Sequence, residues 1–415
     1  MPRLPQLYPW LSAVASAFGG CLSVAQARAL AWFSFGMVLA RSCAVTAVAT
    51  ELADLLGQKQ DTVKQRLREW YVEAAAKAGC HRRQVGVRPC FKPLLRWVLK
   101  DWPSRRLAVA LDATTLGQRF TALVVSVLYK GCAVPVAWKV LPARAKHAWK
   151  GEWLALLDQF RRALPRGWTV VVLTDRGLYA KWLYQAIRRL GWHPFMRVNT
   201  RGTFRPAGQK QRLPLQSFVP QVGSQYKGAG EAFKDRPKRL RCTLLARWDE
   251  GYADPWLVLT DLPPEAAEVC WYGLRAWIEQ GFKRLKSGGW DWQKTRMTDP
   301  ARAERLWLVM AVATWWCLRV GGEAEAAEAG VPAETVGPLP EQEPAAAPTA
   351  PRPAVLTPEG APAGPPARVV SVFVRGRIAI SNTLLRDGKL RLGRVLPEPW
   401  PTHAPAARTR ASPAA

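Results

Sequence analysis

The stretch RRLAVALDATTL, residues 105–116, is followed almost at once by FTALVVSVLYKGCAVPVAWKVL, residues 120–141. The first is a short apolar run that carries an acid, Asp112, at its end. The second is two β-rich runs on either side of Lys130-Gly131, a hairpin signal. Further on, GEWLALLDQFRRAL (151–164) has apolar residues at helical spacing, and GWTVVVLTDRG (167–177) is a buried strand ending at Asp175. LYAKWLYQAIRRL (178–190) reads as a second helix and HPFMRV (193–198) as another strand. Three strands, helix, strand, helix, strand describe a mixed α/β sheet whose first three strands form a meander, with helices packed on it.

The flanks have a different texture. Residues 1–100 look helical and basic. Within them TAVATELADLLGQKQDTVKQRLREW fits a helix-turn-helix over 45–70, with Ala53 at the close contact, Gly57 at the turn and Val63 anchoring the second helix. That helix would expose Lys59, Lys64, Gln65 and Arg68 to phosphates and base edges; an ordinary helical hairpin fits the pattern equally well. Residues 199–264 are poor in helix signals and read as a β-rich insertion. Helix texture returns over 265–320. The segment 322–368 is dominated by Ala, Pro and Glu and is expected to be disordered. The tail, 369–415, regains apolar content and is expected to dock back on the core.

The 415 residues contain 60 Lys plus Arg against 31 Asp plus Glu, a formal net charge of +29. Such a bias points to a polyanion, nucleic acid being the commonest. A coding bias toward Arg, Ala and Pro would raise the total too, so the placement of charge matters more than its sum. Eight cysteines without a CxxC pair, and four histidines, argue against a structural zinc site. The cysteines read as reduced core residues of a cytosolic protein. The longest apolar runs fall short of a membrane span.

Charge is placed tellingly in YGLRAWIEQGFKRLKSGGWDW, residues 272–292. One carboxylate, Glu279, stands among Arg275, Lys283, Arg284 and Lys286. At 100° per residue Tyr272, Arg275, Glu279, Lys283 and Lys286 share a narrow arc of one helix face. Asp112 and Asp175 each end a strand, where sites form at the rim of a sheet. If those strands are neighbours the two carboxylates converge, and converging carboxylates call for a cation. Hard divalent ions take such oxygen ligands. Glu279 would be the third acid, with the flanking bases meeting phosphates. A solvated helix face with i,i+4 charge pairs is the plainer alternative.

Together these residues resemble the DDE transposases of bacterial insertion sequences, in particular the insertion-sequence-four-like group. Its signature of Tyr, Arg, Glu and Lys keeps every interval at Tyr272, Arg275, Glu279 and Lys286. LDATTL and LTDRGLYA resemble the regions of the group's first two acids, and 287–316 the sequence after its glutamate. The resemblance implies an RNase H-like catalytic core over 104–198 and 265–320, interrupted by the β-rich insertion and preceded by a helical DNA-binding domain. It implies Asp112, Asp175 and Glu279 as catalytic metal ligands for two Mg²⁺ ions, with Mn²⁺ able to substitute. Arg275 and Lys286 would bind phosphates and Tyr272 would help position one, while Lys283 is a phosphate-binding candidate from its place on the same helix face. The implied activity is cleavage at terminal inverted repeats, hairpin formation and joining of 3′ ends to target DNA. The partners would be double-stranded DNA and a second subunit in a homodimeric synaptic complex, in the bacterial cytoplasm at the nucleoid and with no membrane. Trp290 and Trp292, or Trp248 and Trp256 in the insertion, are candidates to stack a flipped base, and core packing competes for each. An RNase H-like nuclease or resolvase would need the same acids, and a non-catalytic basic DNA-binding protein would need only the charge.

Overall fold

The computed structural model describes residues 7–77, 83–143, 149–330, 368–386 and 388–402. The hairpin predicted at Lys130-Gly131 joins β2 (Phe120–Tyr129) to β3 (Cys132–Pro142). Both turn residues have positive φ, 46° and 76°, the backbone of a two-residue turn that matches strand twist. Gly131 adopts it without a steric penalty. Lys130 is held there by an ion pair with Glu325, 2.8 Å away.

β1 (Arg106–Leu116) pairs antiparallel with β2 on one side and parallel with β4 (Thr169–Thr174) on the other. β4 in turn pairs parallel with β5 (His193–Arg197). Parallel neighbours need crossovers, supplied by α6 (Lys150–Ala163) between β3 and β4 and α7 (Lys181–Arg189) between β4 and β5. This is the mixed α/β sheet of the expected RNase H-like core, meander first and parallel strands after it. Its strands are buried almost throughout, as strands covered on both faces must be.

The β-rich stretch continues the same sheet. β10 (Trp256–Thr260) pairs antiparallel with β5, and β9 (Leu240–Arg247), β8 (Gln225–Ala232), β6 (Thr203–Pro206) and β7 (Leu213–Pro214) follow outward. The order across all ten strands is β3-β2-β1-β4-β5-β10-β9-β8-β6-β7.

The N-terminal helices are α1 (Tyr8–Phe18), α2 (Val24–Ala40), α3 (Val45–Leu56), α4 (Gln60–Tyr71) and α5 (Arg88–Leu99). Ser23 and Gln26 form a reciprocal capping box at the start of α2. α3 and α4 are joined at Gly57, with Ala53 and Val63 buried between them and Lys59, Gln65 and Arg68 exposed; Lys64 is half-buried. These helices pack on α9 (Pro300–Glu328), which is buried from Arg305 to Gly322. Trp10 stacks on Trp316 at 4.1 Å, and the Trp70 indole donates to the Arg305 carbonyl at 2.8 Å. No single helix among the described residues is long and apolar enough to cross a membrane; the pair α2 and α3, bent by 99°, reaches that length and composition only jointly.

The sequence expectation of disorder from 322 onward needs correction at its start. α9 runs on through Glu328 because Glu325 is caught by Lys130 and Arg368. Most of the Ala/Pro-rich segment, 331–367, lies outside the described residues. Beyond it α10 (Val372–Leu385) crosses α9 where Gly321 meets Gly376. A Cβ on Gly376 would sit 1.8 Å from the Cys317 carbonyl oxygen, so the crossing requires glycine. Residues 388–402 then return along the core. The Tyr129 hydroxyl accepts from the Leu396 amide at 2.9 Å, and the Arg106 guanidinium lies 4.3 Å from the Trp400 ring centre. Six of the seven described cysteines are buried, all seven are free, and Cys80 lies outside the described residues.

Candidate active site

The register of the two parallel strands places the aspartates together. Leu111 on β1 is opposite Thr174 on β4, so Asp112 and Asp175, each the next residue, lie side by side. Asp175 follows the end of β4, whereas Asp112, expected at a strand end, sits inside β1, which runs on to Leu116 paired with β2. On each, one carboxylate oxygen is occupied by a nearby backbone amide. Asp112 Oδ1 accepts from Ala113 at 2.8 Å, and Asp175 Oδ1 accepts from Leu178 at 2.9 Å in a local turn.

The third element arrives from the 272–292 stretch. It is not one continuous α-helix. A 3-10 segment, Val269–Arg275, leads into α8 (Ala276–Lys286). Three residues per 3-10 turn put Tyr272 and Arg275 on one side, and the α-helical rise then carries Arg275, Glu279, Lys283 and Lys286 along the same face.

Arg275 is the centre of the site. Its Nη2 lies 2.7 Å from Asp112 Oδ2 and 3.6 Å from Asp175 Oδ2, while its Nη1 is hydrogen-bonded to Glu279 Oε1. The three acids named from sequence therefore meet around one guanidinium whose side chain is 9% exposed. Burial works against the arginine's charge. Asp112, and after it Tyr272, Glu279 and Asp175, outweigh that effect, and its pKa is held above the ordinary value.

At Asp112 the balance tips the other way. Burial first, then repulsion from Asp175 and Glu279, outweigh Arg275 and push the carboxyl up to about 6. The two results describe one imbalance: three carboxylates face one guanidinium. Lys286 feels the Asp112 charge as well, but burial lowers its own pKa. The cluster is short of positive charge.

Oxygen-only donors from three carboxylates suit a hard divalent ion. As placed, however, no three His, Cys, Asp or Glu side chains among the described residues are disposed to hold one. The guanidinium stands at the meeting point and sets the spacing of the acids. The expectation of acids bridged by metal thus finds an arginine in the bridging place.

The remaining sequence candidates divide. Lys283 is exposed and Lys286 half-buried on the Glu279 face of α8. Tyr272 is 5% exposed with its ring edge-on to Trp256, and burial pushes its phenol up to about 12; it underlies Arg275 rather than facing solvent. Trp290 and Trp292 require correction, because both are fully buried. The Trp290 indole donates to Thr314 at 2.8 Å and packs edge-on to Phe373, and Trp292 is wedged between Phe120 and Trp307. Neither offers a face to a base. Trp256 is also buried, and the Trp248 indole donates to the Tyr252 carbonyl.

Sequence reasoning missed an aromatic surface formed by Tyr179 and Phe233. A cavity of about 230 Å³ is lined by Tyr179, Ala180, Lys181, Phe233 and Lys238. The Tyr179 and Phe233 rings are 5.4 Å apart. Phe233 holds a left-handed backbone, φ 65°, a conformation costly for a bulky residue and often kept at functional sites. Tyr179, four residues past Asp175, was visible in LTDRGLYAK. Phe233 was not, since it reaches the cavity from the end of β8. The adjoining chain is basic and exposed at Lys234, Arg236, Lys238, Arg239 and Arg241.

Comparison with curated proteins returns no match. A cryo-EM structure of the piggyBac transposase synaptic complex with hairpin DNA overlays with a TM-score of 0.35 at 10% identity, across 82% of this chain and 84% of that one, too loose an overlay to carry an argument. The family model described as the transposase DDE domain matches residues 103–316, a span that holds Asp112, Asp175, Arg275 and Glu279. By that match, over half its length, the chain belongs to the DDE-domain transposases.

Proposed function

We propose that the chain is the transposase of a bacterial insertion sequence, cutting DNA at terminal inverted repeats and joining the freed 3′ ends to target DNA. The carrying observation is the convergence of Asp112, Asp175 and Glu279 on Arg275 where β4 ends beside β1. Those three acids would hold two divalent ions, Mg²⁺ or Mn²⁺. When bound, such a pair supplies an activated attacking oxygen and a stabilised leaving oxygen for phosphoryl transfer.

The chain's own residues do the rest. Arg275 offers a planar fork for a phosphate, and Lys283 and Lys286 add point charges along the same face. Exposed Lys59 at the start of α4, with Gln65 and Arg68 on it, would present a basic face to duplex DNA at the transposon end. The base-stacking role expected of a tryptophan moves to Tyr179 and Phe233, whose cavity is edged by Lys181 and Lys238; aromatic faces beside cations suit an unpaired base and its phosphates. Two copies acting as a homodimer would pair the two ends, in the cytoplasm at the nucleoid.

The test uses purified protein, a duplex bearing the element's own inverted repeat, and Mg²⁺. Cleavage and strand transfer should vanish in Asp112→Ala, Asp175→Ala and Glu279→Ala while binding to the repeat is retained. Cleavage that survives all three substitutions ends the assignment. Cutting without any joining would mark a nuclease instead.

A further inference from the structure

The feature left unused is the position of Arg275 itself. A phosphate-binding arginine would be expected to face the groove, yet this one lies against all three acids. It does so imperfectly. Its Nε is buried and donates to no acceptor among the described residues, an unsatisfied donor that disfavours this placement.

The oxygens it holds are also the ones an ion would need. On Asp112 and on Asp175, Oδ1 is taken by a backbone amide and Oδ2 faces Arg275. An ion binding both Oδ2 atoms would compete with the guanidinium for their lone pairs, and the two cations would repel one another. Glu279 is the most exposed of the three acids, its side chain 63% exposed against 15% for Asp112 and 39% for Asp175.

We propose that Arg275 is a tethered substitute for the metal: guanidinium and divalent ion are alternative occupants of the Asp112–Asp175–Glu279 cluster, and the ion's entry releases Arg275 to a DNA phosphate. This rests on the reading of the three acids as the metal-binding set. The device keeps the acids paired in the DNA-free protein. It links metal loading to phosphate capture, since whatever draws the guanidinium away favours the ion, and the reverse by the same factor.

The experiment is Mn²⁺ binding to the DNA-free full chain, followed by the paramagnetic signal of free Mn²⁺. Arg275→Gln should bind Mn²⁺ at least tenfold more tightly than wild type. Arg275→Lys, which keeps a charge but reaches fewer oxygens, should fall between them. Equal or weaker binding by Arg275→Gln overturns the exchange. Asp112→Asn separates this failure from failure of the site: if it binds Mn²⁺ as wild type does, the acids are not the metal-binding set. Should Arg275→Gln not fold, the wild-type chain still decides. Saturation with a short duplex should tighten Mn²⁺ binding at least threefold, and unchanged or weaker Mn²⁺ binding would overturn the proposal.

Discussion

Asp112→Asn should make the metal-free protein more stable at neutral pH, although it removes an ion-pair partner of Arg275. The folded carboxyl titrates at about 6, raised chiefly by burial, against 3.8 for an ordinary Asp. The folded state therefore binds the proton more tightly than the unfolded chain. Between those two values stability falls as pH rises, and above about 6 the full cost is present. At about 1.4 kcal/mol per pKa unit, that cost is roughly 3 kcal/mol. Asparagine stands in for the neutral acid and avoids it. Melting in EDTA, followed from pH 4 to pH 8, should show Asp112→Asn above wild type by a few degrees at pH 8. The gap should close toward pH 4. A gap independent of pH, or one that widens on acidification, would refute the reasoning that burial and crowded acids govern this site.

Glu325 should behave in the opposite sense. Burial opposes its charge, but hydrogen bonds from Arg368 and Lys130 prevail and hold it down at about 2. Its contribution is present above the ordinary carboxylate range and lost on acidification, so Glu325→Gln should lower the melting point at pH 7 and not at pH 2. With solvent screening discounted the loss is about 1 kcal/mol. Gly376→Ala should destabilise the α9–α10 crossing by at least ~1–3 kcal/mol in chemical denaturation, since the new methyl meets the Cys317 carbonyl. Tyr179→Ala and Phe233→Ala should weaken binding of a DNA end carrying an unpaired nucleotide by about tenfold each, a base-stacking loss of ~1–3 kcal/mol. Binding of fully paired duplex should remain, and an equal loss on both would exclude the cavity as a base site. Trp290→Phe should cost stability through its Thr314 bond and leave DNA binding unchanged by mobility shift.

Much of the architecture was legible because it is written in local patterns. Apolar runs of strand length, the Lys130-Gly131 turn and amphipathic spacing over 151–164 and 178–190 place strands and helices in order. Asp175 was legible as a strand end. Asp112 was legible as an acid on an apolar run but sits inside β1, because the polar residues after it still pair with β2, and the parallel register of β1 and β4 brings the two together. What local pattern does not encode is what lies over a side chain. Trp290 and Trp292 sit in a polar, glycine-rich stretch that looks exposed, yet Phe373 and Phe120 cover them from remote segments. The place of Arg275 was hidden for the same reason, since its shortest contact to an aspartate is with a residue 163 positions earlier. The break from 3-10 to α-helix at Arg275 has no proline to announce it. Disorder expected from 322 overran the helix by several residues because alanine and glutamate also favour helices, and Glu325 finds partners that composition cannot reveal.

The central claim is that residues 112, 175 and 279 surround a common metal position. Fe²⁺ bound there, with ascorbate and peroxide, would generate hydroxyl radicals that cut the nearest backbone. The account predicts fragments ending near all three residues, suppressed by excess Mg²⁺ and absent in Asp112→Asn. Cuts near only one of them, or at sites remote from all three, would contradict it.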